Sequence, residues 1–516
     1  MILRATLLLF LILNCVVALA ADENRTLVVA LGEEPNIGFD PILGWGQYGD
    51  PLFQSTILKR NSNLEIVTEL ANHYQILDDG LKWHIKLKQG VKFSDGKELT
   101  AADVSFTFDR IKTGRSTHDL SNLHHITVNN PYSITFVLKQ PDITFIDKLL
   151  SIGIVPAHSY GTDYAQHPVG SGPYILKRWD KGQQIVLERN AHYFAQRPHF
   201  KTIIMLFSSE ENRLALLNTK QLHLASIPQR YVGSVPDSYK KIAIVANDSR
   251  GIVWPMHAPG GKQPGNLVSS DWSIRKAVTL AIDKNLLVEK ILNGYGSSAT
   301  SLADGLPWGP TTQPSDTEII QSVRLEEINH ILATGGWIKK SSNAPREKDG
   351  IKAEFDLYFP AGDSLRRDLA ITIAELVKPI GITIHPIGTS WDAIKTKMHS
   401  NPVLMGFGSH TISEPFYLYS SKNAGNGWYN SGYYNNQQVD LLLDKVKHST
   451  SLEATYPYWT QIYNILNQDL PWTWLVNIDH LYAVDSCLDL GKTKPEPHQH
   501  GWPITSNITQ WQWICE

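Results

Sequence analysis

Val91-Lys92-Phe93-Ser94-Asp95-Gly96-Lys97-Glu98-Leu99-Thr100-Ala101-Ala102-Asp103-Val104 is where one periodicity gives way to another. Before it, residues 73–93 alternate as hairpin strands: His73 to Leu77, a turn at Asp78-Asp79-Gly80, then Lys82 to Leu87. Within it, Thr100 stands as an N-cap with Asp103 three positions on, opening a helix through Val104 to Phe108. Further strands and a short helix carry the pattern to about residue 170, so this stretch reads as an α/β lobe.

Upstream, Leu27 to Leu31 is a short apolar run ending at Gly32, as a buried strand requires, followed by a loop rich in Gly, Pro, Trp and Tyr up to Pro51. Downstream, Tyr174–Lys177, Gln184–Glu188 and Thr202–Phe207 read as strands, Ser209–Thr219 as a helix and Leu222–Ser226 as a strand. That alternation predicts a mixed sheet with crossover helices. A second α/β block starts near Asp271, with a helix over Ile274–Ile282 capped by Asp271 or Ser273. Later helices over Leu325–Ala333 and Arg366–Lys378 bracket a strand at Ala353–Phe359, and Ile382–Ile384 follows as another strand. There is no internal repeat and no low-complexity linker, only a polar surface stretch at Lys339–Gly350, so the domains are expected to be joined by crossing strands and a hinge.

The 516 residues are 42 % hydrophobic and 19 % charged, which excludes a disordered chain and predicts several domains. Forty-seven basic against 50 acidic residues leave a net charge of −3, so a nucleic-acid partner is not expected. Residues 1–20 read as a cleavable signal peptide, with Arg4, an apolar run to Val17 and Ala18-Leu19-Ala20 before the cleavage point. Cys15 as a lipid acceptor is disfavoured by Asn14 before it. No later stretch is long and apolar enough to span a bilayer, so an exported, soluble protein is expected. Cys487 and Cys515 remain after cleavage; they form one disulfide in an oxidising compartment or stay as two buried thiols. There is no Gly-x-Ser-x-Gly elbow and no His-Glu-x-x-His helix, and no enzyme or catalytic cofactor is expected.

Four motifs together resemble one family, the periplasmic solute-binding proteins of ABC importers, family 5, the peptide and nickel class. They are Val91–Val104; Gly170-Ser171-Gly172-Pro173-Tyr174 with Glu188-Arg189-Asn190 and Tyr193-Phe194; Ile274-Arg275-Lys276-Ala277-Val278 with Ala281-Ile282-Asp283-Lys284 and Gly294-Tyr295-Gly296; and Glu326 to Trp337. The resemblance runs in order along essentially the whole mature chain. It implies an α/β, two-lobed periplasmic binding protein fold (type II, large cluster C) with an extra α/β domain. The implied first lobe is 22–64, 170–257 and 475–516, the extra domain 65–169, and the second lobe 258–474. It further implies a monomer in the periplasm that closes on a ligand in an interlobe cleft and delivers it to an ABC permease in the inner membrane.

Peptide binders of that family hold the peptide ammonium with a carboxylate, but the corresponding stretch here, Met405 to Pro415, places His410 and hydroxyls there, with Glu414 shifted along. A neutral imidazole suits nickel, copper or zinc. The resemblance therefore points to the nickel branch: Ni(II) carried as a chelate, with L-histidine as the expected chelator, and His480 then His410 as the metal ligands. His498 and His500 form a His-x-His pair that could add to them or lie in a surface loop. Arg250 is a candidate for a ligand carboxylate, or for an interlobe ion pair. Trp45, Tyr48 and Trp391 are candidates for stacking on the ligand, or for core. The alternative is a di- or oligopeptide receptor in which Glu414 or Asp392 replaces the lost acid.

Overall fold

The computed structural model describes residues 25–32, 34–310, 321–341, 344–498 and 501–515; the signal peptide read over 1–20, Cys15 and His500 lie outside them. The Thr100 cap forms as its residue types require. Its hydroxyl accepts from the Ala102 amide at 3.3 Å while the Asp103 carboxylate accepts from the Thr100 amide at 2.9 Å, opening the helix Ala101–Thr113. Asp103 is itself buried, and its other oxygen accepts from the Ala157 amide at 3.0 Å. The helix buries Val104, Thr107, Phe108 and Ile111, and Phe108 meets Phe136 of a four-stranded antiparallel sheet. That sheet contains the hairpin Ala71–Leu77 and Lys82–Leu87, whose turn places Asp78 and Asp79 in the left-handed region.

The chain divides into two units, one up to Ile244 and again from His480, the other from Val245 to Asp479. Besides the four-stranded sheet, the first unit holds a seven-stranded mixed sheet. Thr26–Gly32 lies at its centre, parallel to both Thr202–Phe207 and Leu224–Ile227, and the helix Glu210–Asn218 connects those two in a β-α-β crossover. His480–Asp485 lies between Leu224–Ile227 and Tyr239–Ile244, antiparallel to both. Leu27, Val29, Leu187, Ile203, Tyr482 and Trp511 lie in the core of this unit.

The second unit is built on a six-stranded sheet in the order Gly296–Ser298, Trp472–Ile478, Ser249–Val253, Val403–Phe407, Glu354–Pro360, Thr383–Thr389. Its helices include Trp272–Ala281, capped by Asp271, and Ser364–Val377, capped by Asp363. Arg275 closes the end of the helix Tyr456–Asp469: its guanidinium donates to the carbonyls of Leu470 at 3.0 Å and Asp469 at 2.8 Å, and burial pulls its pKa down to about 10. Among the described residues no helix is long and apolar enough to cross a membrane.

Cys487 and Cys515 are joined in a disulfide, the first of the two arrangements that their count allowed. It ties down the short ladder Leu488–Asp489 with Gln512–Trp513, on which the Arg25 guanidinium sits 4.2 Å from the Trp513 ring. His223 packs edge-on to Trp513, and its Nδ1 accepts the Val28 amide at 3.0 Å, which requires that nitrogen to be unprotonated. Burial holds His223 below its ordinary value of 6.5, against the opposing pull of Asp485. His118 is pushed further, down to about 3, by burial and by Lys148.

Two outcomes are expected. Cross-linking residues 28 positions apart removes unfolded-chain entropy worth about 3.6 kcal/mol, so reduction should lower the melting temperature of the intact protein. A histidine held neutral in the folded state binds protons more readily when unfolded, so its contribution is complete above 6.5 and is lost as the pH falls below it. The urea midpoint should therefore drop less steeply between about pH 7 and about pH 5 in His223→Asn, whose amide oxygen can still accept the Val28 amide, than in the wild type.

Candidate ligand-binding site

His480 opens the strand His480–Asp485, opposite Ile244, and alternation puts it on the same face as Tyr482. Both side chains reach one oxygen: Glu496 Oε2 lies 2.6 Å from His480 Nδ1 and accepts the Tyr482 hydroxyl at 2.8 Å. The three residues are buried, at 4 %, 1 % and 1 % exposure for His480, Tyr482 and Glu496. A carboxylate oxygen that already accepts from the tyrosine leaves the histidine nitrogen to act as donor. His480 therefore carries a proton on Nδ1. Burial, reinforced by Glu496, raises the Tyr482 hydroxyl far above its ordinary value, which keeps it a donor.

His410 follows the strand Val403–Phe407 in the second unit, and its Nε2 lies 3.0 Å from Asn247 Oδ1. The Asn247 amide nitrogen donates to the Asp304 carbonyl at 2.6 Å. Because that carbonyl can only accept, the amide is oriented with its oxygen toward His410. The imidazole thus donates from Nε2. Gly408 makes this possible: it sits at φ +140°, and a Cβ there would overlap the Asn247 carbonyl. Glu414 accepts the Ser409 amide at 2.8 Å, so the displaced acid of this segment holds the loop.

Arg250 lies on the fully buried strand Ser249–Val253 and pairs with Asp248, two residues earlier on the same face and in the same unit. Beside it Arg366 pairs with Asp363, the residue that caps its own helix by accepting the Arg366 amide at 2.8 Å. Burial and the neighbouring Arg250 charge pull Arg366 down to about 10. Burial would raise the Asp363 carboxyl, but Arg366 and Arg250 hold it below its ordinary value. The Arg366 Nε is buried with no hydrogen-bond acceptor. Gly406 leaves the room for both guanidinium groups, since a Cβ there would stand 2.5 Å from Arg250 Nη1 and 2.9 Å from Arg366 Nη2.

Trp391 is 41 % exposed, 5.7 Å beneath the Arg366 guanidinium and edge-on to Trp428 at 5.2 Å. Trp45 belongs to the core of the first unit, between Phe39 at 4.9 Å and Trp502 at 5.3 Å, with its indole nitrogen buried and without a hydrogen-bond acceptor. Tyr48 and His498 face each other at 6.4 Å, and His498 is buried. Asp392 is exposed. Sequence reasoning missed Glu496, Asn247 and Arg366. Only Arg366 carried a signal, the Asp363 cap three residues before it. Among the described residues no three of His, Cys, Asp and Glu gather into a metal-holding group.

The family model for bacterial extracellular solute-binding proteins, family 5 Middle, matches residues 65–430. The chain belongs to that family. As a family 5 protein it is a solute-binding protein of the ABC-importer kind. Protein XP55 of Streptomyces lividans is 30 % identical over 484 residues, covering 90 % of this chain and 85 % of its own. The oligopeptide-binding protein AppA of Bacillus subtilis is 27 % identical over 489 residues, 90 % of this chain and 87 % of its own. A solved structure of NikZ from Campylobacter jejuni in complex with Ni(L-His) superposes with a TM-score of 0.81 at 22 % identity, covering 94 % of this chain and 99 % of that one.

Gly406→Ala should force the two buried guanidinium groups apart. We expect a loss of about 1–3 kcal/mol in denaturant unfolding, the usual cost of overpacking a filled interior.

Proposed function

We propose that this family 5 protein captures nickel as a small chelate, with L-histidine as the chelator, and hands it to an ABC permease in the inner membrane after export by its signal peptide. His480 is the first protein ligand and His410 the second. A neutral imidazole is a suitable donor to Ni(II), and a metal held by one or two imidazoles takes its remaining donors from the chelator. The observation that carries this reading is the pair of buried imidazoles, each with one ring nitrogen hydrogen-bonded to a side chain that fixes the ring. Arg250 and Arg366 supply positive charge for a ligand carboxylate, with Trp391 beside Arg366 as a stacking surface. Tyr48 and His498 are further candidates for ligand contact on the first unit, whereas Trp45 serves the core. The likeness to a protein solved with Ni(L-His) supports the assignment.

A second reading, a di- or oligopeptide receptor, is favoured by the likeness to AppA, whose structure with a nonapeptide aligns at a TM-score of 0.75. In that reading Glu414, buried and bonded to the Ser409 amide, answers the peptide ammonium.

Calorimetry on metal-free protein separates the two, with Ni(II) alone, L-histidine alone, both together, and a dipeptide pool as titrants. Saturable binding only to nickel with histidine is expected, weakened more than about tenfold, or 1.4 kcal/mol, by His480→Ala. Binding to the peptide pool alone would overturn the nickel reading.

A further inference from the structure

The chain contains two Asn-Gly pairs, Asn293-Gly294 and Asn426-Gly427. Both asparagines are exposed, and both glycines lie at positive φ, +79° and +59°, with open space where a Cβ would stand. A glycine has no Cβ to shield its nitrogen from the preceding side chain. What separates the two pairs is the glycine amide. Gly294 follows the helix Lys284–Lys290 and donates to the Val288 carbonyl at 3.0 Å. The Gly427 amide has no acceptor among the described residues, and the Asn426 side chain has no partner among them.

Asn426 and Gly427 lie in a loop whose base is pinned. The Gly425 amide donates to the Asn430 carbonyl at 2.8 Å, and the buried Asn430 side chain donates to the carbonyls of Ser420 at 3.1 Å and Tyr434 at 2.8 Å. Asn426, Gly427, Trp428 and Tyr429 span the interval. Trp428 stands edge-on to Trp391 at 5.2 Å, and Tyr429 packs on Phe407 at 5.7 Å and Tyr417 at 5.1 Å.

We infer that Asn426-Gly427 is a site of spontaneous covalent modification that rebuilds this aromatic loop, and that Asn293-Gly294 is protected from it. The Gly427 nitrogen attacks the side-chain carbonyl carbon of Asn426. A C–N bond forms, the bond from that carbon to the side-chain nitrogen breaks, and the proton lost by Gly427 leaves with the ammonia. Water then opens the five-membered imide at one of its two carbonyls, giving aspartate or isoaspartate, and nothing else is consumed. Either product sets a carboxylate where a neutral amide stood. Isoaspartate also adds one carbon to the main chain, and because the base of the loop is fixed, Trp428 and Tyr429 absorb the extra length. Trp391, the stacking surface of the nickel-chelate reading, thereby loses its edge-on neighbour; only the effect on solute binding rests on that reading. Gly294 has to give up a hydrogen bond before its nitrogen can attack, which slows it by about tenfold.

The test holds the full-length protein at physiological temperature in mildly alkaline buffer and samples it by peptide mapping with mass spectrometry, beside a synthetic peptide of residues 423–430. Aspartate and isoaspartate should accumulate at position 426 at least about tenfold faster than at 293. The near-ultraviolet circular dichroism of the Trp391–Trp428 pair should change in step. Asn426→Gln, whose side chain is one carbon too long for the five-membered ring, should show neither change. Conversion at 293 as fast as at 426 overturns the inference, as does an Asn426 that stays intact while the free peptide converts. Constant dichroism during conversion at 426 overturns the rebuilding of the loop.

Discussion

Two antiparallel ladders formed by the same two segments organise this protein. Tyr239–Ile244 pairs with His480–Asp485 in one unit, and Ser249–Val253 pairs with Trp472–Ile478 in the other. Each segment thus supplies a strand to both sheets with only a few residues between. Backbone hydrogen bonds along the ladders set the register, and a slip of one residue would turn every side chain to the opposite face. His480, Asn247, Asp248 and Arg250 all lie within a few positions of the crossings. Their directions therefore follow from the ladders and not from the surrounding loops.

That placement buries polar groups that must be satisfied. Ser249–Val253 and Trp472–Ile478 are buried along their whole lengths, so Asp248 and Arg250 meet each other on one face, while Ser249 donates to Asn477 at 2.5 Å. Arg366 and Asp363 join this cluster from the start of a helix, and Gly406 keeps the intervening strand thin enough for both guanidinium groups. Buried ion pairs are weak contributors to stability, because desolvation offsets most of the Coulomb attraction.

The histidines show how identical side chains acquire different chemistry. The sequence offers His480 first and His410 second as candidate ligands, but not the groups that meet their rings. Their partners differ: Glu496, 16 residues beyond His480, and Asn247, 163 residues before His410. Neither distance is periodic, so no pattern of spacing could have joined them.

Residue types and short-range periodicity determined much of the rest. The Thr100–Asp103 cap, the hairpin about Asp78-Asp79-Gly80, the strand at Leu27–Leu31 and the β-α-β crossover through Glu210–Asn218 are local events, set by capping chemistry, turn residues and alternation, and they were legible from the chain alone. So was the family, because its motifs are contiguous. Tertiary structure decided what lies at long range. Trp45, which the loop composition offered as a stacking surface, packs into the core between Phe39 and Trp502. Arg250 finds its carboxylate two residues away within its own unit, and Arg366 comes to stand beside it. The reason is physical: a cap or a turn is closed by neighbours in sequence, whereas tautomer, ion pairing and burial are properties of whatever the completed sheets bring within 3 Å.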